Sequence, residues 1–286
     1  MQTPTAATAR HILSASDLSR DEYASLIESA IAWKESGDYP QVLSRQSAAL
    51  IFEKPSLRTR VSFEAGIHSL GGLPIYLDHK ESRLGEREPV RDLAEYLSRS
   101  VGLVVARVHN HKTLKELTSH ATIPVVNALS DQEHPCQALA DLMTIIEHVG
   151  TLEGTRLAYI GDGNNVCHSL MLASAITGMD LTVITPEGHG PVSSILEQTH
   201  ALAQDTGATI TCTTELNAVE QHHIVYADTW TSMGQDCDDS KLSEFSPYRV
   251  TPEVMQAASC GLDQEALFMH CMPAYRGVEV DADVID

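Results

Sequence analysis

Ala48-Ala49-Leu50-Ile51-Phe52-Glu53-Lys54-Pro55-Ser56-Leu57-Arg58-Thr59-Arg60 is the stretch on which the fold turns. Its first five residues are an apolar, strand-like run. A short polar turn follows, and a helical pattern extends from Val61 to Leu70. A strand feeding directly into a helix presents free backbone N–H groups and the positive end of a helix dipole, which together make an anion cradle. Ser56 and Thr59 add hydroxyl donors. Arg58 adds a planar fork suited to phosphate oxygens. No G-x-x-x-x-G-K-[ST] occurs in the chain, so this is not the glycine-rich loop of nucleotide hydrolases. The expected ligand is a small phosphorylated molecule. Taken alone, the same residues also fit a solvated turn with an ordinary N-cap.

Working outward, strand-like and helix-like runs alternate on both sides of this junction. Ser19-Arg20-Asp21-Glu22 is a capping box ahead of a first helix carrying Tyr23, Leu26, Ile27 and Ile31. Strands are expected at 50–52, 73–77, 103–107 and 123–127, with helices near 58–70, 90–99, 112–120 and 135–149. A second series has strands at 157–160, 181–185, 209–212, 224–226 and 266–269. Its helices are expected from the Gly161-Asp162-Gly163-Asn164-Asn165 turn to about Gly178, near 191–205 and near 252–259. Such alternation predicts parallel sheets flanked by helices, whose ligands bind at the carboxyl ends of strands. The length of 286 residues suggests about two domains, and the boundary falls around Val149 to Gly154.

The formal net charge of −20 argues against general binding of nucleic acid or anionic membrane. Ordinary acidic solubility is preferred to salt adaptation as its explanation, because charged residues are only 20% of the chain. No apolar run approaches the ~18 residues needed to span a bilayer, and no basic-then-apolar signal peptide opens the chain. Six scattered cysteines, none in C-x-x-C, read as reduced thiols of a cytoplasmic protein rather than a disulfide or zinc framework. The pairs His109/His111 and His222/His223 could bind metal, but exposed loop histidines are the preferred explanation.

Four further clusters sit at expected strand ends or helix starts. Arg107 closes a strand and is either a surface residue or an anion ligand. His134-Pro135-Cys136-Gln137 begins a helix, with Pro135 suited to the first helical position. His134 is either a cap or a donor to a carbonyl oxygen that gains charge, and Gln137 offers an amide to the same ligand. The Gly161–Asn165 turn fails the G-x-G-x-x-G spacing, and its asparagines read as ligands of a polar zwitterion or as turn formers. Asp228-Thr229-Trp230-Thr231-Ser232-Met233-Gly234 follows a strand. Asp228 could pair with an ammonium, and Ser232 to Gly234 could be a loop that closes over a ligand. In His270-Cys271-Met272-Pro273, adjacent strand residues point to opposite faces, which weakens a Cys–His nucleophilic pair. A thiol lining an amine pocket fits better.

Phe52 to Glu64, His134 to Asp141, Asp228 to Gly234 and His270 to Ala274 resemble, in order and spacing, the aspartate/ornithine carbamoyltransferase superfamily. Within it they are most similar to the ornithine carbamoyltransferases. The resemblance runs from about residue 10 to the end. It implies two open parallel-sheet α/β domains, 1–149 for carbamoyl phosphate and 150–286 for ornithine, with the active site in the cleft between them. It also implies a homotrimer or a multiple of trimers, no metal and no organic cofactor. Carbamoyl phosphate would be bound by Ser56, Leu57, Arg58, Thr59, Arg83, Arg107, His134, Gln137, Cys271 and Met272. Ornithine would be bound by Asn165, Asp228, Ser232 and Met233. Arg58, Arg107, His134, Asp228 and Cys271 would carry the catalysis. The implied reaction is transfer of the carbamoyl group to the δ-amine of L-ornithine, giving citrulline and phosphate. A carbamoyltransferase for another amine (putrescine, N-acylornithine or aspartate) and a non-catalytic binding homologue are the alternatives. Three departures stand out. Leu57 replaces a common threonine, and Arg83 stands where a glutamine reaching a neighbouring subunit's site is usual. The chain also stops at Asp286, before the family's closing strand, arginine and C-terminal helix; either the sequence is truncated, which is the preferred expectation, or the site works without that arginine.

Overall fold

The structure, a computed structural model, describes residues 9–78, 84–85, 88–230 and 239–286. The chain divides into two compact units, one ending at Leu139 and the other beginning at Ala140.

In the first unit, β1 (Ser47–Phe52), β2 (Leu73–Leu77), β3 (Leu103–Arg107) and β4 (Val125–Leu129) form one parallel sheet in the order β2-β1-β3-β4. Between them run α2 (Leu57–Ser69), α3 (Val90–Ser100) and α4 (His111–His120), with α1 (Arg20–Ser36) ahead of β1; after β4, α5 (Pro135–Val149) starts in this unit and its residues from Ala140 on belong to the second. The Ser19/Glu22 capping box of α1 is present, each side chain bonded to the other's backbone N–H. Alternate residues of a strand face opposite sides of the sheet, and the core follows that rule. Ala49, Ile51, Val104 and Ala106 pack with Ala94 and Leu97 of α3 and Leu114 and Leu117 of α4. Ala48, Leu50, Phe52 and Val105 pack with Ile67 and Phe63 of α2. Both faces are covered, so β1 reads as an unbroken apolar run.

β4 starts at Val125, two residues later than expected. Pro124 has no N–H to donate, although its carbonyl accepts from Val104 N (2.9 Å). The outer edge of β4 is met by Ile12, whose N–H donates to the Val125 carbonyl (2.9 Å) and whose carbonyl accepts from Asn127 N (2.8 Å).

The second unit holds β5 (Arg156–Ile160), β6 (Asp180–Ile184), β7 (Ile210–Thr213), β8 (Ile224–Ala227) and β9 (Leu267–His270), all parallel, in the order β7-β6-β5-β8-β9. Its helices are α6 (Asn165–Thr177), α7 (Ser193–Thr206), α8 (Asp239–Phe245), α9 (Pro252–Ala258) and α10 (Ala282–Ile285). α6 is buried from Val166 to Thr177 and ends on Gly178 in the left-handed region, the usual glycine stop. α8 and α10 are short helices that the sequence patterns do not announce.

Each sheet has one place where the strand order reverses. In the first it lies between β1 and β3, and in the second between β5 and β8. Ligands of open α/β sheets bind outside the carboxyl ends at such reversals.

Candidate functional site: two half-sites at the strand-order reversals

At the first reversal, Phe52 of β1 sits opposite Arg107 of β3. The chain leaving Phe52 turns at once into α2. Ser56 caps this helix, its Oγ accepting from Thr59 N at 3.4 Å and lying 2.9 Å from Thr59 Oγ1. Leu57 is the first helical residue and is exposed. Its side chain offers nothing polar, but its N–H is one of the free donors of the first turn. Arg107 is buried at 3% exposure, and its Nη1 approaches Thr59 Oγ1 at 3.4 Å. Its Nε is buried with no hydrogen-bond partner among the described residues. The β3–β4 ladder slips one residue between Ala106 and Arg107, so Arg107 pairs with Leu129. A bulge of this kind re-aims a side chain. Burial pushes the Arg107 guanidinium down to about 10, which leaves it cationic at neutral pH.

The two arginines flanking Thr59 differ in employment. Arg60 is engaged by Glu64 (Nε to Oε1, 2.9 Å) and stacks over the Tyr76 ring at 3.7 Å. Arg58 is exposed and has no hydrogen-bond or ion-pair partner among the described residues. The loop beneath is fixed by Glu53, whose N–H donates to the Arg107 carbonyl (2.9 Å) and whose carboxylate accepts from His109 N (2.7 Å).

His134 immediately precedes α5, and Gln137 lies in that helix's first turn, its N–H donating to the His134 carbonyl at 3.1 Å. Burial, reinforced by the nearby Arg107 charge, pushes the His134 imidazole down to about 3. It is therefore neutral at pH 7 and close enough to feel Arg107. The first half-site thus brings together Ser56, Thr59, Arg107 and His134, with Arg58 on the outer side of the same helix start. Its polarity is that of an anion receptor with one neutral N–H donor.

At the second reversal, Ile160 of β5 sits opposite Ala227 of β8. The next residues are the Gly161–Asn164 turn and Asp228. Gly163 is demanded by space, because a Cβ there would lie 2.3 Å from the Gly190 carbonyl carbon. Asn164 caps α6, its Oδ1 accepting from Val166 N (2.9 Å) and Cys167 N (3.2 Å). Its Nδ2 donates to Asp228 Oδ2 at 2.6 Å. Asp228 Oδ1 accepts from Thr229 N (2.7 Å) and from the Cys271 thiol (2.9 Å). Burial and the Asp228 charge push Cys271 well above the usual thiol range, so it stays protonated and donates. Behind this group, Tyr226 donates to Asp141 Oδ2 (3.0 Å) and stacks with Tyr159 at 6.0 Å. Tyr159 in turn donates to the Asp162 carbonyl (2.8 Å). Met272 is exposed just past the end of β9. Asn165 is the first residue of α6.

Asn164, one of the asparagines read as possible ligands in this turn, is in contact with Asp228. Its signal was the N-cap position ahead of Val166. Tyr226 and Asp141, which pack behind it, are not singled out by the sequence, since a buried tyrosine and a helical aspartate look like core and surface until the topology joins them. Arg83, Ser232 and Met233 lie outside the described residues. One histidine of each pair departs from the expectation, whereas His109 is an exposed loop residue as expected. His111 is buried with Nδ1 2.9 Å from Ser130 Oγ, and His222 is buried with Nε2 2.9 Å from Thr182 Oγ1. They are satisfied interior groups rather than exposed loop histidines. No cluster of three or more His, Cys, Asp or Glu positioned to hold a metal ion occurs among the described residues.

Residues 10–147 match the model of the aspartate/ornithine carbamoyltransferase carbamoyl-P binding domain, and residues 153–286 match that of the Asp/Orn binding domain. The chain belongs to the aspartate/ornithine carbamoyltransferase family. It is 43% identical over 278 residues to the ornithine carbamoyltransferase of Vibrio sp. (strain 2693), covering 96% of this chain and 91% of that one. With an ornithine carbamoyltransferase of Bacillus cereus it shares 45% identity over 279 residues, 97% of this chain and 86% of the relative. The solved ornithine carbamoyltransferase from Pyrococcus furiosus superposes with a TM-score of 0.92 at 39% identity, covering 98% of this chain and 90% of that one. In this carbamoyltransferase, as the order of the two matched domains requires, the anion-receiving half-site lies in the first unit and the Asp228 cluster in the second. No helix among the described residues is long and apolar enough to cross a membrane.

Proposed function

We propose that this carbamoyltransferase moves the carbamoyl group of carbamoyl phosphate to the δ-amine of L-ornithine, giving L-citrulline and phosphate. The observation that carries the reading is the Asp228 cluster. A carboxylate gripped by Asn164 and Cys271 at the end of β8 is suited to an amine-bearing amino acid. The names of the relatives support the same substrate.

In this reading Ser56, Arg58, Thr59 and the first N–H groups of α2, including that of Leu57, receive the phosphate. Arg107, His134 and Gln137 hold the carbamoyl group, with Arg83 and Met272 as further contacts. Asn165, Asp228, Ser232 and Met233 bind ornithine, and Cys271 lines the junction of the two ligands. The neutral δ-nitrogen attacks the carbonyl carbon. Negative charge collects on the carbonyl oxygen, where Arg58, Arg107 and the neutral His134 N–H stabilise it. Preorganised donors of this kind are each worth about 10²–10³ in turnover. The C–O bond to phosphate then breaks, and the amine's proton passes to the departing phosphate. Positioning the two ligands can supply ~7–11 kcal/mol of the barrier, so no metal or organic cofactor enters the scheme. A homotrimer or a multiple of trimers, and a cytoplasmic location, belong to the same reading.

The test is release of phosphate from carbamoyl phosphate with ornithine, putrescine, N-acetylornithine or aspartate offered in turn. Turnover with ornithine alone supports the assignment. Preferred turnover with any other amine overturns it.

A further inference from the structure

We propose that Glu279 is a positioning residue that works through His270 to hold the turn carrying Cys271. The inference rests on the reading of Cys271 as part of the ornithine half-site and extends it to a carboxylate that takes no part in the chemistry.

Met272 N donates to His270 Nδ1 at 2.9 Å. That bond makes Nδ1 the acceptor and places the ring proton on Nε2. Nε2 faces Glu279 Oε1 at 3.2 Å. The same oxygen accepts from Tyr275 N at 2.6 Å. One carboxylate oxygen therefore ties both ends of the segment 270–275. Within it, Met272 has φ of +59°, a conformation that a side chain other than glycine adopts only when its surroundings hold it there. The Cys271 thiol emerges from this turn toward Asp228.

The carboxylate itself is fixed from the far side. A tight reversal joins Gly277 N to the Val280 carbonyl (2.8 Å) and brings Glu279 back under the turn. The Glu279 carbonyl accepts from Val250 N (2.9 Å), and Asp281 N donates to the Val250 carbonyl (2.9 Å). The His270 and Glu279 side chains are 2% and 0% exposed. Glu279 Oε2 is buried with no hydrogen-bond partner among the described residues. Val250, whose N–H the Glu279 carbonyl accepts from, and the adjacent Val280 belong to a buried apolar cluster. Burying a half-satisfied carboxylate is costly, and packing alone gives no reason for it. Bridging residues 270 and 275 does.

The test uses the full chain and the variants Glu279→Leu and Glu279→Gln. Leucine fills the space and removes the acceptor. Glutamine can present one oxygen to both N–H donors. The first readout is the rate of Cys271 alkylation by iodoacetamide in the substrate-free protein, followed by peptide mass spectrometry, with exposed Cys212 and Cys260 as internal references. Glu279→Leu should raise Cys271 labelling and the KM for ornithine about tenfold each, with a smaller rise in the KM for carbamoyl phosphate, which the reading places against Met272 of the same turn. Glu279→Gln should return both toward the parent. If Glu279→Leu does not fold, His270→Asn serves instead, since its oxygen can still accept from Met272 N while the link to Glu279 is lost. It should also raise Cys271 labelling. Unchanged labelling and KM, even with a lowered melting temperature, would reduce Glu279 to a structural role and overturn the proposal. A parent protein that labels as expected but transfers no carbamoyl group would overturn the assigned function and leave the positioning role standing.

Discussion

The Asn164 side-chain amide donates to the Asp228 carboxylate across 2.6 Å, joining the turn after β5 to the end of β8. Because Asn164 also caps α6, the orientation of Asp228 is set by the start of a buried helix. That ties the carboxylate to the first turn of a helix buried from Val166 to Thr177.

Asp228→Asn would replace one acceptor oxygen by an amide that faces a donor already there. We expect kcat/KM for ornithine to fall by about 10²–10³, with carbamoyl phosphate binding unchanged by calorimetry. Retention of parental ornithine kinetics would remove Asp228 from the site.

Arg58 is exposed and, among the described residues, unengaged, so its loss should not disturb the core. Arg58→Ala should weaken carbamoyl phosphate by about 10–100-fold, the usual worth of a charge-assisted hydrogen bond. Its melting temperature should match the parent's. Undiminished binding would move the phosphate site elsewhere.

His134 resists protonation in the folded chain, because burial and Arg107 oppose its charge. The unfolded chain takes up that proton near the ordinary histidine pKa. Between that value and about 3, the unfolded state therefore binds more protons, and stability falls as pH falls. His134→Gln should flatten the dependence of unfolding free energy on pH below about 6.5 by up to about 1.4 kcal/mol per pH unit. Denaturant titrations at a series of pH values measure it. An identical slope in the variant would show that His134 titrates normally.

Ser174 Oγ in α6 and Thr199 Oγ1 in α7 are buried without partners among the described residues. A buried unpaired hydroxyl costs about 1–3 kcal/mol. Ser174→Ala and Thr199→Val should each raise the melting temperature by a few degrees, about 2–4 °C per kcal/mol at this size. A lowered value would mean that each hydroxyl has a partner in solution.

The strand-to-helix junction after Phe52 was legible because its parts are local: an apolar run, a polar turn and a cap. The same locality located Arg107 and His134 as residues at element ends. β4 was displaced by two residues because Ile123 and Val125 look alike to a periodicity count, whereas Pro124 and the Ile12 bridge decide where pairing begins. The interior places of His111 and His222 depend on Ser130 and Thr182, partners 19 and 40 residues away, and no local pattern reports those distances. Asn164 and Asp228 are 64 residues apart, and their contact follows only once β5 and β8 are neighbours.

Ile12 has a consequence for how the molecule behaves with its own copies. A parallel sheet whose last strand ends in bare amides and carbonyls is a template for further pairing. Here two main-chain bonds from a single residue occupy the middle of that rim. The leading segment thus acts as a guard rail, and trimming the chain past residue 12 would expose a sticky border on β4 and favour edge-to-edge stacking between copies.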